Sequence, residues 1–289
     1  MVRARKAFDA SRRRLEAAGV EDAAFDAAAL VQTQAGEGWR WQDPALDESA
    51  LARLEELTAR RAAREPLQYI LGRWPFLDFE LAVGPGVLCP RADTELLVEE
   101  GAKRLAGRSS PAVLDLCAGS GCVGLGVKRL CPGAHVTCLE KSPEAFRYLR
   151  QNAASALPGF DEARPAAACV LGDVFGYQRQ LAPESLDLVL ANPPYVTDGE
   201  MERLAPEVRR EPAMALRAGR GGLAFYEHIA PAYLPALRPG GWLAVEIGWR
   251  QAGAVQAVLR AAGYENVACI PDLEGRDRVV VGQKPENAT

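Results

Sequence analysis

From residue 111 onward, short apolar runs alternate with stretches whose apolar residues recur at helical spacing. The apolar runs predict strands over 112–117, 134–140, 167–172, 186–191, 241–247, 264–270 and 277–283. The stretches between them predict helices over 122–130, 143–156, 222–237 and 251–262. This alternation is typical of a doubly wound, mostly parallel sheet with helices on both faces. The sequence therefore predicts an α/β fold with a sheet of seven strands.

The last two predicted strands are joined by a short link, residues 271–276. Parallel neighbours need a crossover of a dozen or more residues, whereas antiparallel neighbours need only a few. We therefore predict that the last strand runs antiparallel, a feature that a dinucleotide-binding sheet would lack.

The chain before residue 73 has a different pattern, with helices predicted over 7–18, 22–35 and 47–64. An alternating stretch over 76–83 follows and breaks at Gly84-Pro85-Gly86, which predicts a hairpin. These changes of pattern predict three parts of the chain: an N-terminal helical domain over 1–75, a β-hairpin linker over 76–92 and the α/β domain over 93–289.

The first strand of the α/β part leads into the glycine turn Cys117-Ala118-Gly119-Ser120-Gly121. Two glycines let a ligand approach the backbone closely, and the helix that follows offers free N–H groups. Glu140 ends the next strand, about 20 residues further on, where an acidic residue can bind ribose hydroxyls. An exposed acid at a strand end is the alternative interpretation. The pattern favours a nucleoside-binding site.

Asp173 comes directly after the third predicted strand. Its carboxylate could accept a hydrogen bond from an adenine amino group, and the N–H of Val174 could meet a ring nitrogen. A plain helix cap is the alternative for Asp173.

The segment Asn192-Pro193-Pro194-Tyr195 follows an apolar run, 186–191, whose two faces should both be buried. Two consecutive prolines exclude a helix, so the chain should leave the sheet in a fixed, extended conformation. An Asn side chain and the Pro193 carbonyl could together hold both hydrogens of a planar –NH2 group, with Tyr195 stacked on its face. The segment therefore predicts a site for an amide or for the amino edge of a base.

These motifs resemble S-adenosylmethionine-dependent methyltransferases that act on planar nitrogen. Further segments, Gln68–Gly72, Pro90–Glu95, Glu211–Leu216 and Glu246–Gly248, narrow the resemblance to the peptide chain release factor N5-glutamine methyltransferases. The resemblance implies a methyltransferase sheet, S-adenosylmethionine as cofactor, release factors as protein substrates and a docking role for the N-terminal domain. It implies that catalysis depends on Asn192, Pro193 and Tyr195. It implies cofactor contacts from Cys117, Ala118, Gly119, Ser120, Gly121, Glu140, Asp173, Val174 and Asn192, and substrate contacts from Asn192, Pro193, Pro194 and Tyr195.

Two further hypotheses concern the surroundings of this site. The Pro90–Glu95 segment is expected to close over the methyl-donor end of the cofactor, and Glu246 to need a partner and to orient the Asn192 loop. The charged run 207–211 is predicted to be a mobile, solvated surface.

Net charge and cysteine content bear on the alternative functions and on the location of the protein. The net charge of −4 argues against a nucleic-acid amino-group methyltransferase, which would more often be basic. A ribosomal-protein glutamine methyltransferase and a non-catalytic adenosine-binding or NAD-binding module stay open, although the Asn192–Tyr195 segment counts against the latter. Seven cysteines without a Cys-x-x-Cys pair indicate a reducing cytoplasm and no metal site. We expect neither a signal peptide nor a membrane span, and we expect a monomer.

Overall fold

A computed structural model describes residues 1–286, which form two compact units. The first unit is Met1–Arg73 together with the short segment Ala205–Arg210. The second unit is Trp74–Leu204 together with the chain from Glu211 onward. The end of the predicted α/β domain, residues 287–289, lies outside the described residues. No helix within residues 1–286 combines the length and apolar character needed to cross a membrane.

The first unit is a helical bundle with a small two-stranded sheet. Its helices are α1 (Ala4–Ala17), α2 (Ala23–Ala35), α3 (Trp39–Gln42), α4 (Glu48–Ala62) and α5 (Leu67–Leu71), and its strands are β1 (Val2–Arg3) and β2 (Ala45–Leu46). The Asp47 side chain caps α4 by accepting from the N–H of Ala50 at 2.8 Å. Leu15, Leu30 and Leu54 fill the core between the three long helices. The helical prediction is confirmed, with ends displaced by up to three residues.

An ion-pair cluster holds the segment Ala205–Arg210 against helix α4. Arg61 Nη2 lies 3.0 Å from Glu207 Oε1, and Arg64 Nη2 lies 2.6 Å from Glu207 Oε2. Arg61 also binds the buried Asp26 through Nε at 2.6 Å. The prediction of a mobile, solvated run over 207–211 is therefore wrong at its first residue, since paired and largely buried charges fix it in place.

The second unit begins at Trp74, within a hairpin of β3 (Arg73–Phe76) and β4 (Phe79–Ala82). Its turn is Leu77-Asp78, where Leu77 adopts a left-handed φ of 52°. A hairpin is thus present, and the chain also turns at the predicted break, where the N–H of Val87 donates to the Gly84 carbonyl at 3.3 Å. Residues 83–91 form no strand, so the hairpin lies over 73–82 and not over the predicted 76–92. Gly84 and Gly86 indicate that the chain turns there. Pairing between the apolar residues on either side of Leu77-Asp78 determines where strands β3 and β4 are joined.

The central sheet of the second unit has seven strands among the described residues. They are β5 (Ala112–Leu116), β6 (His135–Glu140), β7 (Ala168–Leu171), β8 (Leu186–Ala191), β9 (Leu237–Glu246), β10 (Glu265–Pro271) and β11 (Asp277–Gln283), in the order β10-β11-β9-β8-β5-β6-β7. Strands β5 to β9 pair in parallel, and β11 is antiparallel to both β9 and β10. Both the doubly wound sheet and its antiparallel last strand are confirmed.

Helices cover both faces of this sheet. They are α6 (Glu95–Arg104), α7 (Cys122–Leu130), α8 (Pro143–Ser155), α9 (Val174–Tyr177), α10 (Asp198–Met201), α11 (Ala213–Leu216), α12 (Ala224–Tyr233) and α13 (Ala252–Ala261). All six residues of β8 are buried, with Leu188 and Leu190 in the core on one face and Val189 and Ala191 in the core on the other. Burial on both faces explains why β8 is an uninterrupted apolar run.

The strand order reverses between β5 and β8. From β5 the chain proceeds outward to β6 and β7, and it then returns to β8 on the opposite side of β5. In open α/β sheets the crevice at such a point, beyond the carboxyl ends of the strands, is where ligands bind. The segments that follow β5, β6, β7 and β8 all meet at this edge.

Candidate active site

A cleft opens at the carboxyl edge of the central strands, with an empty volume of about 1000 Å³ including its open mouth. Its lining comes from the segments after β5, β6, β7 and β8, from 86–94 and from 212–215. Cys117, Ala118, Gly119, Ser120, Glu140, Asp173, Val174, Asn192 and Pro194 are the predicted site residues that it brings together. Gly121, Pro193 and Tyr195 lie outside this lining.

The glycine turn after β5 faces the cleft on one side and packs against helix α8 on the other. A Cβ added at Gly119, where φ is +57°, would meet only Val87 Cγ2 at 4.0 Å, so the space beside it is open. A Cβ at Gly121, where φ is +86°, would lie 2.7 Å from Leu149 Cδ1. The backbone at Gly119 is therefore open to the cleft, whereas the absence of a side chain at Gly121 permits close packing.

Asp115 supports this turn from below. Its Oδ2 accepts from the N–H of Gly124 at 2.9 Å, which ties β5 to the first turn of α7. Burial raises the pKa of Asp115 to about 7. The residue is inside the protein, so it acts on the turn rather than on a ligand.

Glu140 is a fixed carboxylate at the edge of the cleft. Its Oε2 accepts from the N–H of Gly119 at 2.8 Å, and its Oε1 accepts from the N–H of Ser142 at 2.6 Å. It is buried, so it is not the exposed strand-end acid of the alternative interpretation. Each carboxylate oxygen has a second lone pair, so Glu140 can still accept from a ligand.

Asp173 lies in the cleft lining and also caps helix α9. Its Oδ1 accepts from the N–H of Phe175 at 3.0 Å, and its Oδ2 lies 2.8 Å from Lys141 Nζ. Partial burial acts to raise the pKa of Asp173, but the hydrogen bond from Lys141 leads to a lower value than usual. The helix cap is thus present, and it leaves the residue beside the cleft with Val174.

Asn192 is half-buried where β8 ends, and its amide has a defined neighbour. Its Nδ2 donates to Thr94 Oγ1 at 3.2 Å. The Oδ1 atom is therefore the group that Asn192 presents as an acceptor. Thr94 belongs to the Pro90–Glu95 segment, so the structure places the two most distinctive motifs of the sequence in direct contact.

Tyr195 is not among the residues that line this cleft. Its hydroxyl donates to Glu246 Oε1 at 3.4 Å, and the residue lines a second cleft with Trp249 and Gln251. Gln251 Nε2 donates to the Tyr195 carbonyl at 3.2 Å and anchors the loop. These two hydrogen bonds fix Tyr195 in the loop that follows Asn192, and its stacking role remains a prediction.

A buried ion pair that sequence reasoning missed borders the cleft. Glu211 is 5% exposed, and it accepts from the N–H of Cys89 at 2.9 Å and from Arg91 Nη2 at 2.5 Å. The prediction of a solvated run over 207–211 is therefore wrong at its last residue also. Both partners lie in motifs of the resemblance, but a separation of 120 residues hid the pairing from local patterns.

Substitution of Glu211 by Ala should destabilise the second unit and weaken ligand binding in the cleft. The change leaves the Arg91 guanidinium and the Cys89 N–H without their acceptor, and breaking a buried pair costs about 3–5 kcal/mol when one charge stays buried. Because Arg91 is partly exposed, we expect the lower part of that range. Thermal unfolding and cofactor titration measure the two effects, with Glu202→Ala, an exposed acid of the same loop, as control. Equal melting temperatures for the two variants would contradict the assignment.

Comparisons with known proteins match nearly the whole length of the chain. Residues 6–72 match the family model described as PrmC N-terminal domain, and residues 85–225 match the methyltransferase small domain. The release factor glutamine methyltransferases of Caulobacter vibrioides and Geobacter sulfurreducens are each 39% identical, over 96% of this chain and 96% of their own length. A methyltransferase structure from Pyrococcus furiosus has a TM-score of 0.51 and 17% identity, over 72% of this chain and 89% of that one.

The similarity to the Pyrococcus furiosus structure concerns the fold alone. The identity of 39% to the Caulobacter vibrioides enzyme over nearly full length shows the family. This chain belongs to the release factor glutamine methyltransferases.

Proposed function

We propose that this protein transfers a methyl group from S-adenosylmethionine to the side-chain amide nitrogen of a glutamine in a peptide chain release factor. The observation that carries the chemistry is the orientation of Asn192, whose Nδ2 is engaged with Thr94 and whose Oδ1 is left as an acceptor. An acceptor at this position selects a hydrogen-bond donor, and a primary amide nitrogen is such a donor.

The cleft has the chemistry that S-adenosylmethionine requires. The open space beside Gly119 admits a ligand against the backbone, and Glu140 is a fixed acceptor for ribose hydroxyls. Asp173 and Val174 would hold the adenine, and the turn from Cys117 to Gly121 would surround the remainder. When bound, S-adenosylmethionine supplies an electrophilic methyl group on a sulfonium.

The residues of this chain would act by positioning and polarisation. An amide nitrogen is a weak nucleophile, because its lone pair is delocalised. Asn192 Oδ1 and the Pro193 carbonyl would accept its two hydrogens, aim the nitrogen and increase its electron density. Pro193 and Pro194 are buried, and their fixed backbone would keep this clamp rigid. Fixing two reactants in attack geometry can supply about 7–11 kcal/mol, and the amide proton can leave after transfer.

The finer parts of the proposal concern domains, partners and location. The helical part of the chain, predicted as 1–75, would dock the protein substrate, and the chain would act as a monomer. Its seven cysteines are all free thiols, which supports a reducing cytoplasm.

The direct test offers labelled methyl donor to the purified protein together with release factor, ribosomes and nucleic acid. We expect label on one glutamine side chain of the release factor, located by mass mapping as the gain of a single methyl group. The Asn192→Ala variant is the negative control. Label on a ribosomal protein would instead favour a ribosomal-protein glutamine methyltransferase. Label on nucleic acid would overturn the proposal.

A further inference from the structure

The segment Asn192–Tyr195 is held by its neighbours at both ends. At its start, Ala191 ends β8 in register with Val245 of β9. At its end, the N–H of Val196 donates to the Leu216 carbonyl at 2.8 Å. The two prolines between these ends have a fixed φ, so the segment is a short, stiff spacer. A displacement of its end is therefore passed on to Asn192 at its start.

Gln251 holds the end of this spacer with its side-chain amide. Its Nε2 donates to the Tyr195 carbonyl at 3.2 Å and lies 3.5 Å from the Gly222 carbonyl. Its Oε1 accepts from the N–H of Gly248 at 3.0 Å. A backbone N–H only donates and a carbonyl only accepts, so these partners allow one orientation of the amide. One side chain thus joins the loop after β8, the turn after β9 and the residues before α12.

The backbone around the Gln251 amide leaves just enough room for it. A Cβ added at Gly222 would lie 2.3 Å from Gln251 Nε2 and 2.7 Å from the Tyr195 carbonyl oxygen. A Cβ at Gly248 would lie 3.1 Å from Gln251 Oε1. Gln251 is itself anchored, because its own N–H donates to the Gly248 carbonyl at 2.8 Å and its carbonyl accepts from the N–H of Val255 at 2.9 Å. The amide therefore acts on Tyr195 from a fixed base.

We propose that Gln251 is a positioning residue for methyl transfer: by holding the Tyr195 carbonyl, it fixes the spacer so that Asn192 Oδ1 and the Pro193 carbonyl meet the –NH2 group of the glutamine together. This inference rests on the proposed function and adds the residue that aligns its two acceptors. Gln251 lies outside the lining of the cleft, so it acts through the backbone and not by binding a reactant.

A role in the fold alone is the alternative, and the two ends of the amide separate it from positioning. Oε1 holds the turn that leads into α13, whereas Nε2 holds Tyr195. Gln251→Glu has nearly the same shape and keeps an acceptor for the Gly248 N–H. Above neutral pH its carboxylate has no hydrogen to donate, so it loses the bond to Tyr195 alone.

The test compares Gln251→Ala and Gln251→Glu with the natural chain, by kcat, KM for the release factor and cofactor Kd. We expect both variants to lose about tenfold in kcat, the effect of one hydrogen bond. KM and cofactor Kd should stay within about twofold, because neither reactant contacts Gln251. Gln256→Ala and Gln256→Glu, on the same helix α13, are the matched controls and should keep the natural kcat.

A double-mutant cycle separates positioning from a general loss of stability. In the Asn192→Ala background, Gln251→Glu should lower kcat by less than about threefold, because the clamp that Gln251 aligns is already broken. A tenfold loss in both backgrounds would overturn the proposal. A natural kcat for Gln251→Glu would also overturn it, even if Gln251→Ala failed to fold. Absence of glutamine methylation by the natural chain would instead refute the proposed function.

Discussion

Asn192→Ala is expected to lose turnover by about a hundredfold or more while retaining S-adenosylmethionine binding. The variant removes Oδ1, the acceptor left after Nδ2 is engaged with Thr94. Loss of one preorganised polar group of this kind costs about 2.7–4 kcal/mol of barrier. Cofactor affinity should change little, because Glu140, Asp173 and the glycine turn carry those contacts in the proposed complex.

Single-turnover rates with saturating release factor, together with cofactor titration, measure the two effects separately. Asn266→Ala is a suitable control, because Asn266 is exposed on the edge strand β10. An unchanged kcat for Asn192→Ala would refute the proposed role of Asn192. A loss of cofactor binding equal to the loss of rate would assign Asn192 to the cofactor instead.

Glu140→Ala should weaken S-adenosylmethionine binding by roughly a hundredfold. Two losses combine: the ribose loses a charged acceptor, and the N–H groups of Gly119 and Ser142 lose the carboxylate that holds them. A hydrogen bond to a charged group contributes about 1.5–3 kcal/mol, and a buried donor left unsatisfied costs about 1–3 kcal/mol. Part of the second cost will be recovered by water, since the site borders the cleft.

Isothermal titration of the cofactor measures this effect without the protein substrate. Glu265→Ala, at an exposed position of β10, is the matched control. Affinity within about threefold of the natural chain would refute the ribose contact. A lowered melting temperature with that affinity would show that Glu140 only holds the N–H groups of Gly119 and Ser142.

Several features of the fold could be predicted because they depend on local sequence. The apolar run 186–191 predicted a strand buried on both faces, and the six-residue link 271–276 allowed only antiparallel pairing. Carboxyl ends of parallel strands share one edge, so Glu140, Asp173 and Asn192 were expected near one another. The cleft lining contains all three.

The errors have a common cause in long-range pairing. The charged run 207–211 looked solvated, yet Glu207 pairs with Arg64 and Glu211 with Arg91. Charged residues in a surface pattern give no sign of partners more than 100 residues away. Likewise, the hairpin was expected over 76–92, but strand pairing placed it over 73–82, with its own turn at Leu77-Asp78.

By itself, the sequence determined the order of helices and strands along the chain, the antiparallel last strand and the edge of the sheet where the site residues meet, because periodicity, link length and strand ends are local properties. Only the tertiary structure decided which way the Asn192 amide faces. That orientation comes from the hydrogen bond that Asn192 Nδ2 donates to Thr94 Oγ1, and Thr94 lies 98 residues away along the chain, beyond the reach of any local pattern.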